Sequence, residues 1–213
     1  RDWLHDAPDA LLYLHVPFCE AKCFYCNFAV DVSANEQVHV GYVDALLREL
    51  DSHSDWLART QIRGIDIGGG TPTRLPAKQL ERICEAIAPY ARDSGHAFPF
   101  SIETTPRIAS QEPEKLDVLS RGGVQRVSMG VQSFNAATLA LVNRRRQVEQ
   151  TERAMANLRA AGFQRLNLDI IFGLPGQTMQ DWESDLDRVI ALQPDSITTY
   201  DCLYRGKGRA LTK

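Results

Sequence analysis

The amino-acid sequence predicts an α/β fold built from six parallel strands and the helices that connect them. Short runs rich in aliphatic residues alternate with stretches whose apolar residues recur at i, i+3, i+4 and i+7, the spacing of one helix face. Neighbouring strands joined through helices run parallel, since antiparallel neighbours need only a short turn. A doubly wound sheet and an incomplete βα barrel both fit, and both bind ligands at the carboxyl ends of their strands.

Each predicted strand is a short apolar run bounded by glycine, proline or polar residues. The first run stops at Pro17, and the second stops at three consecutive glycines that begin with Gly68. The six strands are predicted at Leu11–Val16, Ile65–Ile67, Phe98–Glu103, Arg126–Val131, Leu166–Phe172 and Ser196–Leu203.

The predicted helices each carry one apolar face and end near glycine or at polar residues. In the last of them, the residues predicted to face the core are Trp182, Leu186, Val189 and Ile190. The helices are predicted at Asn35–His53, from Pro76 onward, and at Glu112–Ser120, Asn135–Val142, Glu149–Ala161 and Asp181–Leu192.

The composition is that of an ordinary globular protein. With 213 residues, 24 basic and 27 acidic side chains and 44% hydrophobic residues, the chain can bury roughly 70% of its unfolded surface without help from disulfides or metals. No apolar run approaches the ~20 residues that span a bilayer, and nothing near the amino terminus reads as a signal peptide. These features predict a cytoplasmic protein with no membrane span, and the weak acidity argues against nucleic acid as its main partner.

Three of the five cysteines lie within eight residues, in the loop that follows the first strand. Cys19, Cys23 and Cys26 are too close together for useful disulfide loops, whereas thiolates are preferred ligands of zinc and of iron–sulfur clusters. Structural zinc usually requires four protein ligands, with His15 as the candidate fourth. Three thiolates on a four-iron cluster would leave one iron open for a small ligand. A zinc site and incidental free thiols are the alternatives.

The C-x3-C-x2-C spacing of this loop resembles that of the radical S-adenosylmethionine (SAM) superfamily. The segments LYLHVPFCEAKCFYCNF, GGGTPT, MGVQSFN, LVNRRRQ and LDIIFGLPGQT together resemble its subgroup of oxygen-independent coproporphyrinogen III oxidase and relatives (HemN and HemW), from Leu11 to about Leu203. The resemblance implies a partial (βα)6 TIM-like barrel that binds a [4Fe–4S] cluster through the three loop cysteines, and SAM. It also implies that reduction cleaves SAM to a 5′-deoxyadenosyl radical, which abstracts hydrogen.

The same resemblance assigns contacts with SAM residue by residue. Arg144 matches a residue whose guanidinium can grip the SAM carboxylate, and Asp169 matches one whose carboxylate can hold the ribose hydroxyls. Taken alone, the glycines indicate a tight turn, Glu103 a helix cap or ion-pair partner, and the tyrosines core packing. The residues implied to contact SAM are Tyr13, Tyr25, Phe28, Gly69, Gly70, Thr71, Glu103, Gln132, Arg144, Asp169 and Leu203.

Phe28 distinguishes two branches of the subgroup. Resembling decarboxylating oxidases carry a further cysteine at this position, two residues after the third cluster ligand, whereas the haem-chaperone branch carries phenylalanine. The resemblance therefore implies haem as cargo, or another tetrapyrrole as partner, and a reducing electron donor such as flavodoxin or ferredoxin. The alternatives are a radical enzyme acting on a tetrapyrrole or another large substrate, as an oxidoreductase or methyltransferase, and a zinc-stabilised domain without catalysis.

The resemblance also divides the chain. It implies an N-terminal extension at 1–10, the radical SAM core at 11–205 and, at 206–213, the start of a C-terminal region that covers the barrel in resembling proteins. Two cysteines stand outside the loop. Cys84 lies on the apolar face of a predicted helix and is expected in the core. Cys202 lies at the end of the sixth strand, on the functional side, and is expected to be a small buried residue. The alternative is an extra functional cysteine of the kind that some resembling radical enzymes carry there.

Overall fold

The computed structural model describes residues 9–91, 100–144 and 150–202 of the chain. These residues form one six-stranded sheet. The strands are β1 (Asp9–Val16), β2 (Gln61–Gly69), β3 (Ser101–Thr104), β4 (Arg126–Gln132), β5 (Arg165–Phe172) and β6 (Ser196–Asp201).

Helices connect the strands in sequence, with a short 3₁₀ turn after β2 at Pro72–Arg74. Half of the eight helices among the described residues begin with a side-chain cap, which satisfies amide groups that have no partner within the helix. The helices are α1 (Glu36–Ser52), α2 (Ser54–Leu57), α3 (Ala77–Ile87), α4 (Pro106–Gln111), α5 (Pro113–Arg121), α6 (Ala136–Leu141), α7 (Thr151–Ala160) and α8 (Met179–Ala191). No helix among the described residues is both long and apolar enough to cross a membrane.

The strand order distinguishes between the two architectures that the sequence allowed. Every strand pairs in parallel with its neighbour along the chain, in the order β1-β2-β3-β4-β5-β6. A doubly wound sheet would reverse its strand order at a switch point. Because this sheet never reverses, it is an incomplete βα barrel, and the predicted fold class is confirmed.

The two faces of the sheet have opposite character. On the outer face, Ile67, Ile102, Met129 and Leu168 are each no more than 1% exposed and belong to the main hydrophobic core with the helices. On the inner face, alternate positions carry polar side chains that hydrogen bond across strands, as Ser101 does to Asp66 at 2.5 Å. Parallel strands covered on both faces read as continuous apolar runs. The strict alternation seen here therefore indicates an inner face that serves a polar ligand.

Most differences from the predicted elements lie at their ends. Strand β2 is much longer than its predicted apolar run, helices α2 and α4 were not predicted, and the parts of the third strand before residue 100 and of the sixth after 202 lie outside the described residues.

The orientation predicted for the last helix is wrong at one position. Ile190 is 60% exposed, whereas Val189 is fully buried and Asp185, four residues earlier, is 2% exposed. Adjacent residues on a helix point about 100° apart, so Val189 and Ile190 cannot both face the sheet. The spacing of apolar residues did not reveal that Asp185, one helical turn before Val189, is the other residue buried at this face.

Candidate functional site

A cavity of about 690 Å³ lies at the carboxyl ends of the strands. Its walls come from the loop after β1, the glycine-rich end of β2, and the ends of the remaining strands. Of the residues predicted for the site, those on its walls are Cys19, Cys23, Tyr25, Cys26, Phe28, Gly69, Gly70, Thr71, Glu103, Gln132, Arg144 and Asp169.

Two predicted residues are not on these walls. Tyr13 is half exposed on the inner face of β1, where its hydroxyl lies 3.2 Å from His15 Nδ1. Leu203 lies outside the described residues.

The loop that carries the cysteines is held by backbone hydrogen bonds at both ends. The amide of Cys19 donates to the Asp31 carbonyl at 2.9 Å, and the Asp31 amide donates back to Pro17 at 2.9 Å. Farther along, the amide of Phe24 donates to the Val142 carbonyl at 3.2 Å. These contacts fix the loop between the end of β1 and the segment that follows α6, so its conformation depends on distant parts of the chain.

The three thiols of this loop are free and partly buried. Burial raises the pKa of Cys19, and the neighbouring thiols of Cys23 and Cys26 raise it further, against a 3.5 Å contact with the Thr71 hydroxyl. A metal bound here would hold these thiols as thiolates, which are the binding form. Mutual repulsion between three such groups requires a cationic ligand, and an iron–sulfur cluster supplies one.

The arrangement distinguishes a cluster from a single ion. Among the described residues, no three His, Cys, Asp or Glu side chains are placed to hold one metal ion together. The candidate fourth zinc ligand, His15, instead packs its ring against Gly69 and lies 3.5 Å from the Ala29 carbonyl. Thiolates that bind different irons of one cluster do not have to meet at a single point. The donor set therefore fits a cluster better than tetrahedral zinc.

Arg144 joins the cysteine loop to the end of β4. Its guanidinium donates to the Gly130 carbonyl, to the Tyr25 hydroxyl at 3.1 Å and to Cys23 Sγ at 3.7 Å. Burial alone would lower the pKa of Arg144, but Tyr25 and Cys23 hold that pKa above its ordinary value. Burial also raises the pKa of Tyr25, so its hydroxyl stays protonated. A permanent positive charge thus lies beside a predicted cluster ligand.

The glycines that end β2 are needed for close packing. A Cβ on Gly69, whose φ is +114°, would lie 2.5 Å from the His15 ring, and one on Gly70 would lie 2.7 Å from the Pro17 backbone. Only glycine meets both the conformational and the steric demand. The close backbone approach at Gly69 and Gly70 is therefore first of all to β1 and the start of the cysteine loop. It brings Thr71 against Cys19.

Glu103 is a partly buried carboxyl with an unusual pKa. Burial raises its pKa to about 7, with further contributions from Asp66 and Asp169, while the Gly69 amide donates to it at 3.2 Å and lowers it. The helix-cap alternative does not hold, because Thr105 is the residue that caps α4. Near neutral pH this carboxyl can either accept or donate a hydrogen bond, which suits contact with a ligand ammonium or hydroxyl group.

Asp169 presents its carboxylate from the inner face of β5. Its Oδ2 accepts from Ser128 Oγ at 2.9 Å and its Oδ1 from Asn167 Nδ2 at 2.7 Å. Burial raises its pKa, and hydrogen bonds from Ser128, Asn167 and Thr198, together with the charge of Arg126, oppose that rise. The carboxylate is therefore held in one orientation at the cavity wall.

Gln132 ends β4 in a strained conformation. Its φ is +72°, which only a few per cent of residues other than glycine adopt, and its Oε1 is buried without a hydrogen-bond partner among the described residues. A buried acceptor left unpaired costs about 1–3 kcal/mol. Both features are expected where a side chain is held ready for a ligand.

Asp185, which the sequence analysis missed, supports the Gln132 turn from helix α8. Its carboxylate accepts from Ser133 Oγ at 2.7 Å and from the Phe134 amide at 2.6 Å. Gln177 of the GLPGQT segment also donates to it, at 3.3 Å. This shared acceptor connects two of the motifs that the sequence presents separately.

Asn167 and Ser128 were missed as well. The signal for them was present, since RVSMGV and LNLDII each alternate apolar and polar residues. Of the other cysteines, Cys84 is 3% exposed in the core as predicted, and Cys202 lines the cavity beside Tyr25 and Ile171.

Comparison with known proteins identifies relatives whose similarity covers most of this chain. The family description "Radical SAM superfamily" matches residues 13–189. The haem chaperone HemW of Lactococcus lactis is 36% identical over 191 residues, 90% of this chain and 48% of HemW. The oxygen-independent coproporphyrinogen III oxidase of Escherichia coli is 34% identical over 190 residues, 89% of this chain and 41% of the oxidase.

Solved structures agree with this grouping. The coproporphyrinogen III oxidase HemN from Escherichia coli superposes with a TM-score of 0.85 at 30% identity, covering 98% of this chain and 48% of HemN. The methyltransferase TsrM from Kitasatospora setae, at 16% identity and a TM-score of 0.65, covers 91% of this chain and 37% of TsrM and shares the fold alone. The chain spans about half the length of the curated relatives it matches. The predicted HemN and HemW subgroup is confirmed.

Proposed function

The chain belongs to the radical SAM superfamily, and from that premise we propose that it is the cofactor-binding part of a protein that binds haem and transfers it to acceptors. Membership implies a [4Fe–4S] cluster and SAM. One observation carries the assignment of these groups to residues. A single cavity collects the three thiols of one loop together with polar side chains from the ends of the other strands.

In this proposal the chain's own residues bind and orient the two groups. Cys19, Cys23 and Cys26 would hold the cluster through their thiolates and leave one of its irons open. When bound, the cluster supplies an electron and an open coordination position for the methionine end of SAM. Arg144, whose charge is permanent, binds the SAM carboxylate and also lies beside Cys23.

The remaining contacts follow from the position of each side chain. Gly69, Gly70, Thr71 and Glu103 line the cavity next to the cysteine loop, where the amino group of SAM would lie. Asp169 faces the cavity from β5, and its carboxylate, oriented by Ser128 and Asn167, suits the ribose hydroxyls as further donors. Gln132 offers its unpaired Oε1. For Tyr25, Phe28, Tyr13 and Leu203 the proposal rests on the resemblance.

Phe28 favours the haem-chaperone role. It lies on the cavity rim with 62% of its surface exposed, at the position where resembling oxidases carry a further cysteine. Two HemW proteins are among the relatives with 32–36% identity. We assign haem as the cargo and a flavodoxin or ferredoxin as electron donor. We assign the cytoplasm as location, since clustered cysteines in a reducing compartment serve metal binding and not disulfides.

A radical enzyme acting on a tetrapyrrole is the second candidate. The relatives also include oxygen-independent coproporphyrinogen III oxidases with 32–34% identity, and HemN superposes closely. Apart from Phe28, the two roles share the cofactor contacts assigned above, so they differ mainly in what the full-length protein does with the tetrapyrrole.

Reconstitution tests the cofactor assignment. The full-length protein, reconstituted anaerobically, should bind about four irons per chain and absorb broadly in the visible range. Cys23→Ala should abolish this absorption, whereas the matched control Cys84→Ala, which removes a thiol from the core, should retain it. A colourless protein that binds one zinc would contradict the assignment.

Haem titration tests the role. A chaperone should bind haem tightly in a fixed ratio and leave coproporphyrinogen III unchanged in the presence of SAM and a reductant. If the full-length protein converts coproporphyrinogen III to protoporphyrinogen IX, the chaperone role is wrong and the enzyme takes its place. Phe28→Cys is the informative variant, since gain of oxidase activity would show that this position separates the two roles.

A further inference from the structure

We infer that Asn167, which does not line the cavity, is a positioning residue that holds the Asp169 carboxylate ready for the ribose of SAM. The inference rests on the proposed SAM site and extends it to a residue outside the ligand's reach. Asn167 precedes Asp169 by two positions on β5, so both side chains lie on the inner face of the sheet. It is 1% exposed.

All four hydrogen-bonding positions of the Asn167 amide are used. Its Nδ2 donates to Ser128 Oγ at 2.8 Å and to Asp169 Oδ1 at 2.7 Å. Its Oδ1 accepts from Ser196 Oγ at 2.7 Å and from Thr198 Oγ1 at 3.0 Å. An asparagine offers two donors and two acceptor sites. The Asn167 side chain therefore has no donor or acceptor left for a ligand. Its role is to hold the side chains to which it is hydrogen-bonded.

The orientation of the amide follows from its neighbour. Asp169 Oδ1 can only accept, so the nitrogen of Asn167, and not its oxygen, must face it. Ser128 closes the ring, since its Oγ accepts from Asn167 and donates to Asp169 Oδ2 at 2.9 Å. Each carboxylate oxygen thus receives one hydrogen bond from a buried side chain. The carboxylate can then neither rotate nor withdraw from the cavity wall.

The surroundings make this support necessary. Asp169 is largely buried, and burial favours its uncharged form. The negative charge of Asp169 raises the pKa of Glu103 on β3 and of Tyr200 on β6. The positive charge of Arg126 on β4 lowers the pKa of all three groups. Without the donors from Asn167, the carboxyl would take up a proton at higher pH. It would then lose its ability to accept two hydroxyl groups.

The test measures SAM binding to the reconstituted full-length protein, anaerobically and without reductant. Asn167→Leu removes both donors at nearly constant volume. It should raise the Kd for SAM about tenfold to a hundredfold, as expected for lost hydrogen bonds to a charged group. The Kd for an analogue that lacks both ribose hydroxyls should change about twofold at most.

Dependence on pH provides a second readout. In the wild type and the variant alike, Glu103 contributes to any change in affinity between pH 6 and 8. The difference between their profiles therefore reports Asp169. Because the variant raises the pKa of Asp169, its affinity should begin to fall at a higher pH than that of the wild type as the solution is acidified.

A control and a milder variant separate positioning from folding. Asn157→Leu removes an amide that donates to the Ala109 and Ser110 carbonyls, at 3.0 and 3.3 Å, between α7 and α4. It should leave both Kd values unchanged. If Asn167→Leu does not fold, Asn167→Ser carries the same test, because its short hydroxyl cannot reach both partners.

The outcomes distinguish the two levels of the argument. Equal weakening of SAM and the analogue, or an unchanged profile, in a folded Asn167 variant overturns the positioning role and leaves the SAM site intact. A wild-type protein that does not bind SAM overturns both. A wild type that binds SAM and the analogue equally overturns the ribose role of Asp169 and, with it, the inference.

Discussion

The outer and inner faces of the sheet are made by the same strands, yet they are built for different purposes. Outer residues such as Ile102 are buried against helices in the main core. Their inner neighbours, such as Glu103, are partly buried polar groups held by other polar groups. The outer face lowers the free energy of the folded state through apolar burial. The inner face gives up some of that stability to keep charged groups available for a ligand.

The largest effect on stability is expected from the outer face. Ile102→Ala removes a fully buried side chain and should lower the free energy of unfolding by about 2–5 kcal/mol. Denaturant titration measures this change. The matched control is Ile197→Ala on the edge strand β6, where the side chain is 38% exposed, and it should cost much less. Both side chains lie on the outer face, so equal losses would mean that burial against the helices is not what makes this face stabilising.

On the inner face, a substitution should have the opposite sign. The pKa of Glu103 is raised from 4.5 to about 7, so the folded state disfavours its ionised form. Stability is therefore lost as pH rises from about 4.5 to 7, by about 3 kcal/mol in total. Glu103→Gln should then be more stable than the wild type at pH 8, and the difference should shrink towards pH 5.

The measurement is the free energy of unfolding across that pH range. Glu183→Gln, at an exposed position on α8, is the control and should show no such dependence. Lower stability of Glu103→Gln at pH 8 would contradict the idea that the inner face carries a cost.

Asp185 is an exception to this division, because it is a carboxylate on helix α8 that is only 2% exposed. The Asp185 carboxylate accepts hydrogen bonds from Ser133, Phe134 and Gln177. In Asp185→Asn, one carboxylate oxygen becomes an NH2 group, which faces at least one of these donors with a donor. The expected loss is about 1–3 kcal/mol of stability, together with weaker SAM binding through the Gln132 turn.

Comparison of SAM affinity at matched folded fractions tests this expectation. Unchanged affinity in a destabilised Asp185→Asn protein would limit Asp185 to a structural role.

The smallest effect is expected at the start of α8. Thr178 and Asp181 form a capping box, with the Asp181 amide donating to Thr178 Oγ1 at 3.1 Å and the Thr178 amide donating to Asp181 Oδ2 at 2.8 Å. Thr178→Ala should cost about 1 kcal/mol. Because Asp181 keeps its 2.7 Å hydrogen bond from Asn135 in this variant, SAM affinity should stay constant. A large loss of affinity would link the cap to the cavity.

The amino-acid sequence predicted the fold class and the cluster loop in addition to the strands and helices. The alternation of strands and helices indicated a parallel α/β fold, and the cysteine spacing indicated a cluster loop, because both signals are local. The prediction failed where contacts between distant segments determine which side chains are buried, as at Ile190 and Asp185 on α8. It also passed over Asn167, whose meaning depends on β4 and β6 as much as on its own strand.

The kinds of groups present and their order along the chain can be read from the amino-acid sequence: three thiols in one loop, glycines at the end of β2, and carboxyls near strand ends. Only the tertiary structure decided the strand order, which side chains share the inner face, and the pKa of Glu103. The physical reason is that periodicity and spacing reflect interactions within a segment. Burial, electrostatic fields and cross-strand hydrogen bonds arise between segments brought together by folding.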